Sequence, residues 1–246
     1  MREVSLEIPL HGSDVRTLKR ALLSGLTGGR LVNTKRVVSV KALDSLSLEI
    51  QHGDRIGLIG HNGAGKSTFL RLLCGILTPT AGQLEIPNYF TPLIDKSFLV
   101  EPQLSGFDAL KAHFLLHHRS MSEFQNFVDD VTEFAEIGDF IRLPLESYSE
   151  GMKTRLLFAI HTYFSHDLLA LDEGIGAGDR AFMRKASDRM QSFLNRSGTL
   201  LLASHSEPML RAFCNKIYVF RKGEIVFSGG VAEGLSFYHN MKEGAV

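Results

Sequence analysis

The sequence of 246 residues predicts an α/β fold: a parallel β-sheet with flanking helices, an antiparallel β subdomain and an inserted α-helical subdomain. Two observations support this prediction. Three short and almost continuously apolar runs, at 55–59, 167–171 and 199–203, are typical of strands covered on both faces of a parallel sheet. Between residues 104 and 165 the pattern is helical, so this stretch interrupts the alternation of strands and helices.

The remaining elements follow from periodicity and turn residues. Alternating or turn-flanked runs predict antiparallel strands at 37–40, 46–50, 216–220 and 224–228. Helical periodicity is found at 66–76, 107–118, 122–137, 150–165 and 180–196. One apolar stripe of the helix at 150–165 contains Met152, Leu156, Ala159, Ile160 and Tyr163. We therefore expect a single domain, with the core and β subdomain at 1–92 and 166–246 and the helical subdomain at 93–165.

Composition excludes several classes of protein. The 27 Lys and Arg residues equal the 27 Asp and Glu residues, so the excess positive charge typical of a nucleic-acid-binding protein is missing. Two cysteines, Cys74 and Cys214, are too few for a disulfide framework or a four-cysteine zinc site, and we expect reduced core residues. No apolar run reaches the ~20 residues that span a bilayer. The acidic residues Glu3 and Glu7 argue against a signal peptide. We expect a soluble protein that can dock on a membrane protein.

The first 41 residues carry a local positive charge, with eight basic residues against three acidic ones. This segment also contains the loop-like run Gly-Leu-Thr-Gly-Gly at 25–29. One interpretation is a solvated face with a surface loop. The other is a basic edge that lies near anionic lipid headgroups or a membrane partner.

Residues 60–68 match the phosphate-loop (P-loop) pattern Gly-x4-Gly-Lys-Ser/Thr, between a predicted strand and a predicted helix. Glycines let backbone N–H groups close around phosphate oxygens, and the N-terminus of the next helix adds a positive dipole. We expect Lys66 to bridge the β- and γ-phosphates of a nucleotide and the Ser67 hydroxyl to bind Mg²⁺. The predicted nucleotide-binding residues of this loop are Gly60, His61, Asn62, Gly63, Ala64, Gly65, Lys66, Ser67 and Thr68.

Two carboxylates end the next apolar run, Leu168-Leu-Ala-Leu171. Asp172 is placed to hold Mg²⁺, directly or through water. Glu173 is placed to orient or deprotonate the attacking water. These features fit kinases, GTPases and motor ATPases alike, so they leave the class of P-loop protein open.

The segment Tyr148-Ser-Glu-Gly-Met152 lies upstream, with Ser149 23 residues before Asp172. It resembles the signature motif of ATP-binding cassette (ABC) ATPases, usually Leu-Ser-Gly-Gly-Gln. Members that energise polysaccharide export often read Tyr-Ser-Ser-Gly-Met, followed by a basic residue and Arg-Leu, as in Met152-Lys-Thr-Arg-Leu156 here. The resemblance implies that Ser149, Gly151 and Met152 contact the γ-phosphate of nucleotide bound to another subunit. It therefore implies a head-to-tail dimer with two ATP molecules at the interface.

The remaining motifs are similar to those of the same family, and the resemblance covers roughly 37–228. Gly176-Ala-Gly-Asp179 stands where the family has its D-loop, and His205 where it has the switch histidine that senses the γ-phosphate. The resemblance thus implies Glu173, His205 and Lys66 as catalytic residues.

Three positions depart from the family pattern. Glu150 stands where the family has Gly or Ser, which adds a negative charge beside a phosphate site. For the Q-loop residue, which would bind the metal, Gln103 is available, although one alignment favours Glu101. The aromatic residue that stacks on adenine is replaced, in our alignment, by Lys41.

Two further clusters have simpler interpretations. His113, His117 and His118 have no acidic residue placed as in a zinc-binding His-Glu-x-x-His motif, so we expect a surface or subunit-contact role. Four phenylalanines recur at near-helical spacing and predict core packing of the helical subdomain, with a cleft for a membrane subunit as the alternative. They are Phe114, Phe124, Phe127 and Phe134.

The resemblance implies ATP hydrolysis, with ATP and Mg²⁺ as cofactors, that drives polysaccharide export (O-antigen, capsule or teichoic acid) through a separate membrane subunit. Two copies of this chain would join two permease subunits at the cytoplasmic face of the inner membrane. From the short stretch after the last predicted strand we expect no C-terminal glycan-binding domain.

Other functions remain open at this point. The chain could serve a small-molecule exporter or an importer, or be a P-loop ATPase outside transport. ABC ATPases of translation or DNA repair need tandem cassettes or a long coiled coil, which 246 residues do not accommodate. A P-loop kinase would not need the signature, D-loop and switch histidine in this order.

Overall fold

A computed structural model describes residues 1–10, 30–34, 37–93, 101–116, 120–172 and 180–243. The strands are β1 (Arg2–Leu10), β2 (Arg30–Thr34), β3 (Val37–Leu46), β4 (Arg55–Ile59), β5 (Ala81–Gln83), β6 (Thr91–Leu93), β7 (Leu168–Asp172), β8 (Thr199–Ala203), β9 (Lys216–Arg221) and β10 (Glu224–Gly229). The helices are α1 (Lys66–Leu73), α2 (Gly106–Leu116), α3 (Phe124–Ala135), α4 (Glu150–Tyr163), α5 (Arg180–Arg196), α6 (Glu207–Phe213) and α7 (Val231–Glu243).

The chain divides into two compact units. The first consists of Met1–Ile94, Asp167–Glu173 and Gly198–Val246. The second, which we call the helical unit, consists of Asp95–His166 and Gly174–Ser197. Helix α5 therefore belongs to the helical unit, although it follows the carboxylate-bearing strand in the sequence.

The first unit contains a six-stranded sheet in the order β10-β9-β4-β8-β7-β6. All neighbouring strands are parallel except β10, which pairs antiparallel with β9. Ile56, Leu58 and Leu201 of the central strands are fully buried, and Phe69 and Leu70 of α1 belong to the same apolar core. Burial of central strands explains their continuous apolar runs. The predicted parallel sheet is confirmed.

A second, antiparallel sheet in the same unit has the order β2-β3-β1-β5. Val4 and Leu6 of β1 are buried in the apolar core that α1 shares. Arg2 and Glu3 of β1 are exposed, in agreement with a solvated face, while Val4 and Leu6 of the same strand are buried. Ser5, between them, is buried as well, and the pairing of β1 with β3 is irregular at Leu6, so burial along this strand does not follow a simple alternation.

The strand predicted at 46–50 does not form beyond Leu46, where β3 ends. Ser45 has a positive φ of 48°, a backbone conformation that residues other than glycine rarely adopt. Leu48 then exchanges backbone hydrogen bonds with Met1, with N···O distances of 2.9 and 3.2 Å. Leu48 and Ile50 still pack against the core. The alternation in this segment therefore reflects burial rather than pairing in a sheet.

The helical unit is built around aromatic side chains. Phe114 and Phe127 are fully buried, and Phe124 and Phe134 are at most 8% exposed. Their rings contact one another and neighbouring aromatic rings, as between Phe114 and Phe127 at 5.4 Å between centroids. The core role predicted for these phenylalanines is confirmed. Within its described residues, the unit contains no strand, only an isolated bridge between Ser105 and Pro144.

Asp54, in the turn before β4, connects two parts of the first unit. Its carboxylate accepts hydrogen bonds from Lys216 Nζ at 2.7 Å and from the Gln51 backbone N–H at 2.9 Å. Burial by itself would raise the pKa of Asp54, but these hydrogen bonds outweigh it and hold the pKa below its ordinary value. The carboxylate therefore stabilises the junction of the turn with the start of β9.

We expect Asp54→Asn to lower the free energy of unfolding by about 1 kcal/mol at neutral pH. Because the pKa is lower in the folded state, this contribution is present above the pKa of the unfolded chain, about 3.9, and is lost as the pH falls through the folded-state value. Denaturant unfolding at pH 7 and at decreasing acid pH measures the difference between the two proteins. A difference that stays constant down to about pH 3 would contradict the assignment.

The two cysteines are free and partly buried. Burial raises the pKa of each thiol, Cys74 and Cys214, to about 12. Both thiols are therefore protonated at neutral pH and poorly reactive. Among the described helices, none has the length and apolar character needed to cross a membrane.

Candidate functional site

Three sequence motifs meet at one edge of the six-stranded sheet. In the parallel ladders Leu58 of β4 lies beside Ala203 of β8, and Ala203 lies beside Asp172 of β7. Gly60 and His205 follow these strands by one or two residues. The carboxyl ends of parallel strands are where α/β proteins bind ligands. The P-loop, Asp172 and His205 are thus brought to the same edge.

The P-loop adopts a conformation that requires glycine at two positions. Gly65 has φ 112°, and a Cβ atom there would lie 2.9 Å from the Ala42 carbonyl oxygen. Gly60 has φ 151°, and its Cβ would collide with the Phe220 carbonyl. Side chains at these positions would therefore push the loop out of place.

Lys66 is buried, and its ammonium group donates hydrogen bonds within the P-loop. Nζ lies 2.6 Å from the Gly60 carbonyl oxygen and 3.2 Å from that of His61. Gly65 precedes α1, and no side chain among the described residues caps this helix. The first backbone N–H groups of α1 have no acceptor within the helix, so they are available to an anion. A cation and helix N–H groups therefore converge where phosphate oxygens would bind.

The β9–β10 turn supports the P-loop, a contact that sequence reasoning missed. The Gly223 N–H donates to the Ala64 carbonyl at 2.9 Å, and the Gly223 carbonyl accepts from the Asp44 N–H at 2.9 Å. Gly223 has φ 84°, and a Cβ there would lie 2.8 Å from the Ala42 carbonyl oxygen. The sequence signals this turn only as a hairpin, because its partner is distant in the chain.

The other residues predicted for this unit lie around the same edge. Asp172 and Ser67 are half-buried, and His205 is exposed. The Ser204 hydroxyl, just before His205, is buried and accepts a hydrogen bond from the Ser206 N–H at 3.0 Å. Glu173 and the Gly176–Asp179 segment lie outside the described residues.

In the helical unit the predicted signature segment starts α4. Ser149 caps the helix, with its Oγ accepting from the Met152 N–H at 3.2 Å. The Glu150 carboxylate, 90% exposed, pairs with Lys153 Nζ at 3.1 Å, so its charge is partly compensated along the helix. A Cβ atom added at Gly151 would lie 3.9 Å from Ser149 Oγ, at ordinary contact distance, and would meet nothing nearer among the described residues. The surroundings of Gly151 within the chain therefore do not require glycine.

Tyr148 anchors the start of this segment. Its ring is 4% exposed, and its hydroxyl donates to the Phe140 carbonyl at 2.6 Å. Burial raises the pKa of this tyrosine, so the hydroxyl stays a donor at neutral pH. The fixed tyrosine leaves the next residues, Ser149 to Gly151, at the surface.

The residues that depart from the family pattern are placed as follows. Gln103 and Glu101 are both exposed in the turn before α2, with the Gln103 N–H 3.4 Å from Glu101 Oε1. Lys41, in the position expected for an adenine-stacking aromatic residue, forms an ion pair with Asp44.

The interpretation of the histidine cluster as a surface feature is wrong for His113. This side chain is only 4% exposed, and its ring meets that of His161 at 6.2 Å between centroids. It faces inward because it lies on the apolar side of α2, next to Phe114 and Leu110. His117 and His118 lie outside the described residues. In the part of the chain that the structure describes, no group of three or more His, Cys, Asp or Glu side chains forms a metal site.

Sequence comparison identifies relatives of this chain among ATP-binding proteins of export systems. The O-antigen export system ATP-binding protein RfbE of Yersinia enterocolitica is 36% identical over 225 residues, 91% of this chain and 94% of the relative. The teichoic acids export ATP-binding protein TagH of Listeria monocytogenes is 35% identical over 200 residues, 81% of this chain and 59% of TagH. The O-antigen export system ATP-binding protein RfbB of Myxococcus xanthus is 34% identical over 199 residues. This chain spans 45% of the RfbB length.

Solved structures share the fold. A dimeric ATP-binding cassette in a post-hydrolysis state, bound to ADP and Pi, matches with a TM-score of 0.60 over 83% of this chain and 97% of that chain, at 20% identity. The ATP-binding subunit of an ABC transporter matches with a TM-score of 0.63 over 86% of this chain and 92% of that chain, at 18% identity. The predicted α/β fold class is confirmed.

The ABC transporter family matches residues 43–176, more than half of the 246 residues. This match includes the P-loop, the signature segment and Asp172. The resemblance inferred from the motifs, including its closeness to polysaccharide exporters, is confirmed. With a near full-length relative as well, this chain belongs to the ABC transporter family.

Proposed function

We propose that this chain is the ATP-hydrolysing subunit of a bacterial ABC transporter that exports a lipid-linked polysaccharide through a separate membrane subunit. The observation that carries the proposal is the meeting of the P-loop, Asp172 and His205 at one sheet edge. A buried lysine at the start of a helix, beside a carboxylate, suits a nucleotide with its metal ion.

The P-loop binds the phosphates of ATP. Lys66 exchanges its two carbonyl acceptors for β- and γ-phosphate oxygens, which are stronger acceptors because they are charged. Ser67 and Asp172 hold Mg²⁺, which neutralises phosphate charge when it is bound. Gln103 joins them as the metal-binding residue of the Q-loop.

Glu173 and His205 act on the γ-phosphate side. Glu173 follows Asp172 directly and accepts a proton from the attacking water. His205 hydrogen-bonds the γ-phosphate and so distinguishes ATP from ADP. The roles given to Glu173 and His205 are supported by their positions in the sequence, since Glu173 follows β7 and His205 follows the neighbouring strand β8.

A second copy of the chain completes each ATP site. Ser149, Gly151 and Met152 reach the γ-phosphate from the partner copy through the N-terminus of α4. The open surroundings of Gly151 support this role, because no described residue crowds the position and a group of the partner copy can approach it. The dimer is head-to-tail and holds two ATP molecules between its copies.

The substrate class rests on the relatives and on the motif variant. Apart from Glu150, Tyr148-Ser-Glu-Gly-Met152 matches the form expected for polysaccharide exporters, and RfbE and TagH are export ATP-binding proteins for O-antigen and teichoic acids. The chain works at the cytoplasmic face of the inner membrane, attached through a permease subunit.

Deletion of the gene in the source bacterium tests the substrate. Surface polysaccharide should disappear while its lipid-linked precursor accumulates inside the cell, because synthesis continues and export stops. A plasmid copy of the wild-type gene restores export. Normal surface polysaccharide in the deletion strain would contradict the proposed substrate class without affecting the assignment as an ATPase.

A further inference from the structure

Glu136 ends α3 in a conformation that usually belongs to glycine. Its backbone has φ 56° and ψ 40°, in the left-handed region. The Glu136 N–H donates to the Glu133 carbonyl at 3.3 Å, and the Ile137 N–H donates to the Thr132 carbonyl at 3.4 Å. This hydrogen-bond pattern is a Schellman motif, in which the left-handed position favours glycine because a Cβ atom is strained there. A glutamate at this position indicates that contacts of its side chain compensate for the backbone strain.

The Glu136 side chain bridges two other helices. Oε2 accepts from Arg155 Nη1 of α4 at 3.2 Å, and Oε1 accepts from Lys185 Nζ of α5 at 3.2 Å. One carboxylate therefore joins the end of α3, the helix that starts with the signature segment, and the helix that starts at Arg180.

Lys185 is held to α3 by further contacts. Its Nζ also donates to the Phe134 carbonyl at 3.1 Å and the Glu133 carbonyl at 3.3 Å, and lies 4.9 Å from the Phe134 ring centroid. These contacts place a cation at the C-terminal end of α3, where the helix dipole favours it. These contacts hold the Lys185 ammonium in place, and its positive charge stabilises the Glu136 carboxylate.

Arg155 depends more strongly on Glu136 than Lys185 does. Its side chain is 20% exposed, and its guanidinium carbon lies 5.6 Å from the Phe182 ring centroid. Its Nε is buried and has no hydrogen-bond partner among the described residues. Glu136 is therefore the carboxylate that compensates this guanidinium in the described part of the chain.

Arg155 lies one helical turn after Gly151, on the same side of α4. A contact that fixes Arg155 therefore fixes the first turns of the helix. Ser149 and Gly151, which these turns carry, are exposed and make few contacts of their own.

We propose that Glu136 is a positioning residue that clamps the first turns of α4 through Arg155, with Lys185 as its support. The inference rests on the proposed function, since it assigns Glu136 the task of preorganising Ser149 and Gly151 for ATP on the partner copy. The contacts of the Glu136 side chain with Arg155 and Lys185 offset the cost of the left-handed backbone.

Glu136→Gly tests the clamp, because it removes the carboxylate and also relieves the left-handed backbone. We expect thermal stability equal to or above that of the wild type. In the nucleotide-free protein, hydrogen exchange of the backbone N–H groups of residues 153–157 should become about tenfold faster, while residues 158–163 are unchanged. In a Glu173→Gln background, the ATP concentration at half-maximal dimerisation should rise about tenfold.

Asp130→Asn is the matched control. Asp130 is another acid of α3 that binds α5, through Arg189 at 2.5 and 3.1 Å, but the hydrogen bonds of Arg189 to α4 end on the Ala159 carbonyl and the Thr162 hydroxyl, in the second half of that helix. We expect this variant to lose some stability while hydrogen exchange at 153–157 and ATP-driven dimerisation are unchanged. Adding Arg155→Met to Glu136→Gly should have no further effect on dimerisation, because both changes break the same contact.

Unchanged exchange at 153–157 in Glu136→Gly would overturn the clamp whatever the dimerisation result. Faster exchange with unchanged dimerisation would overturn the positioning role. A Glu173→Gln protein that does not dimerise with ATP would contradict the proposed function, and the exchange measurement then decides the clamp by itself.

Discussion

We expect Lys66→Ala to reduce the rate of ATP hydrolysis by at least about 10²-fold. The lysine ammonium lies at the start of α1, held by the Gly60 and His61 carbonyls, and is the group that we propose contacts the β- and γ-phosphates. Alanine removes this charge where the transition state is most negative. Release of inorganic phosphate by the purified protein measures the effect.

The fold should survive this substitution, because the hydrogen bonds from Lys66 Nζ to the Gly60 and His61 carbonyls lie within the P-loop itself. Circular dichroism and thermal unfolding check this point. Lys111→Ala is the matched control, since Lys111 is exposed on α2 of the helical unit and should leave hydrolysis unchanged. Hydrolysis by Lys66→Ala at a rate near that of the wild type would refute the assignment of the P-loop.

The second large effect concerns ATP as a link between two copies. Glu173→Gln keeps the side-chain size and a hydrogen-bonding group but loses the carboxylate that we propose as the proton acceptor. We expect this variant to bind ATP, to hydrolyse it at least about 10²-fold more slowly, and to accumulate as a dimer. Light scattering with ATP and Mg²⁺, compared with ADP and Mg²⁺, measures the dimer.

Ser149→Arg, added to Glu173→Gln, should prevent this dimer. Ser149 caps α4 at an exposed position, so arginine would place a bulky cation at the contact with the other copy. Binding of a fluorescent ATP analogue to the P-loop of the monomer should be unchanged. Ser192→Arg, the same substitution at an exposed position of α5, is the control and should still dimerise. Dimerisation that ignores nucleotide, or that survives Ser149→Arg, would contradict the role given to the signature segment.

The charge of Glu150 affects the expected strength of the ATP-driven dimer. Its carboxylate would add negative charge beside the γ-phosphate, but Lys153 Nζ lies 3.1 Å away and compensates part of that charge. The pair is exposed and therefore screened by salt. The dimer of the isolated chain should accordingly be weaker than the phosphate contacts alone would predict.

Local motifs were predictable where neighbouring residues determine the structure. The strands at 55–59 and 199–203 have the predicted bounds, because a run of apolar side chains can be buried on both faces only in the middle of a sheet. The P-loop was predictable because its glycines, lysine and serine stand at short, fixed spacings, although the carbonyl groups that crowd Gly60 and Gly65 come from the distant residues Phe220 and Ala42. The stripe of α4 was predictable because side chains at helical spacing share one face: Leu156, Ala159 and Ile160 are at most 1% exposed.

Elements without a strong pattern of their own were missed. β5 and β6 have three residues each, and Ala81–Gln83 is exposed throughout, so no run of apolar residues signals them. They form because β1 and β7 offer unpaired edges. β1 was also missed, because its buried residues Val4, Ser5 and Leu6 are consecutive and do not alternate with exposed ones.

By itself the sequence determined the class of fold, the family and the residues that can meet a nucleotide, because each depends on residue types at short, fixed spacings. Only the tertiary structure decided which distant groups support them. The contact of Gly223 with Ala64 and the bridge from Glu136 to Arg155 and Lys185 join residues 19 to 159 positions apart. Such contacts depend on how whole elements pack, and packing is set by the complete core rather than by any short stretch of the chain.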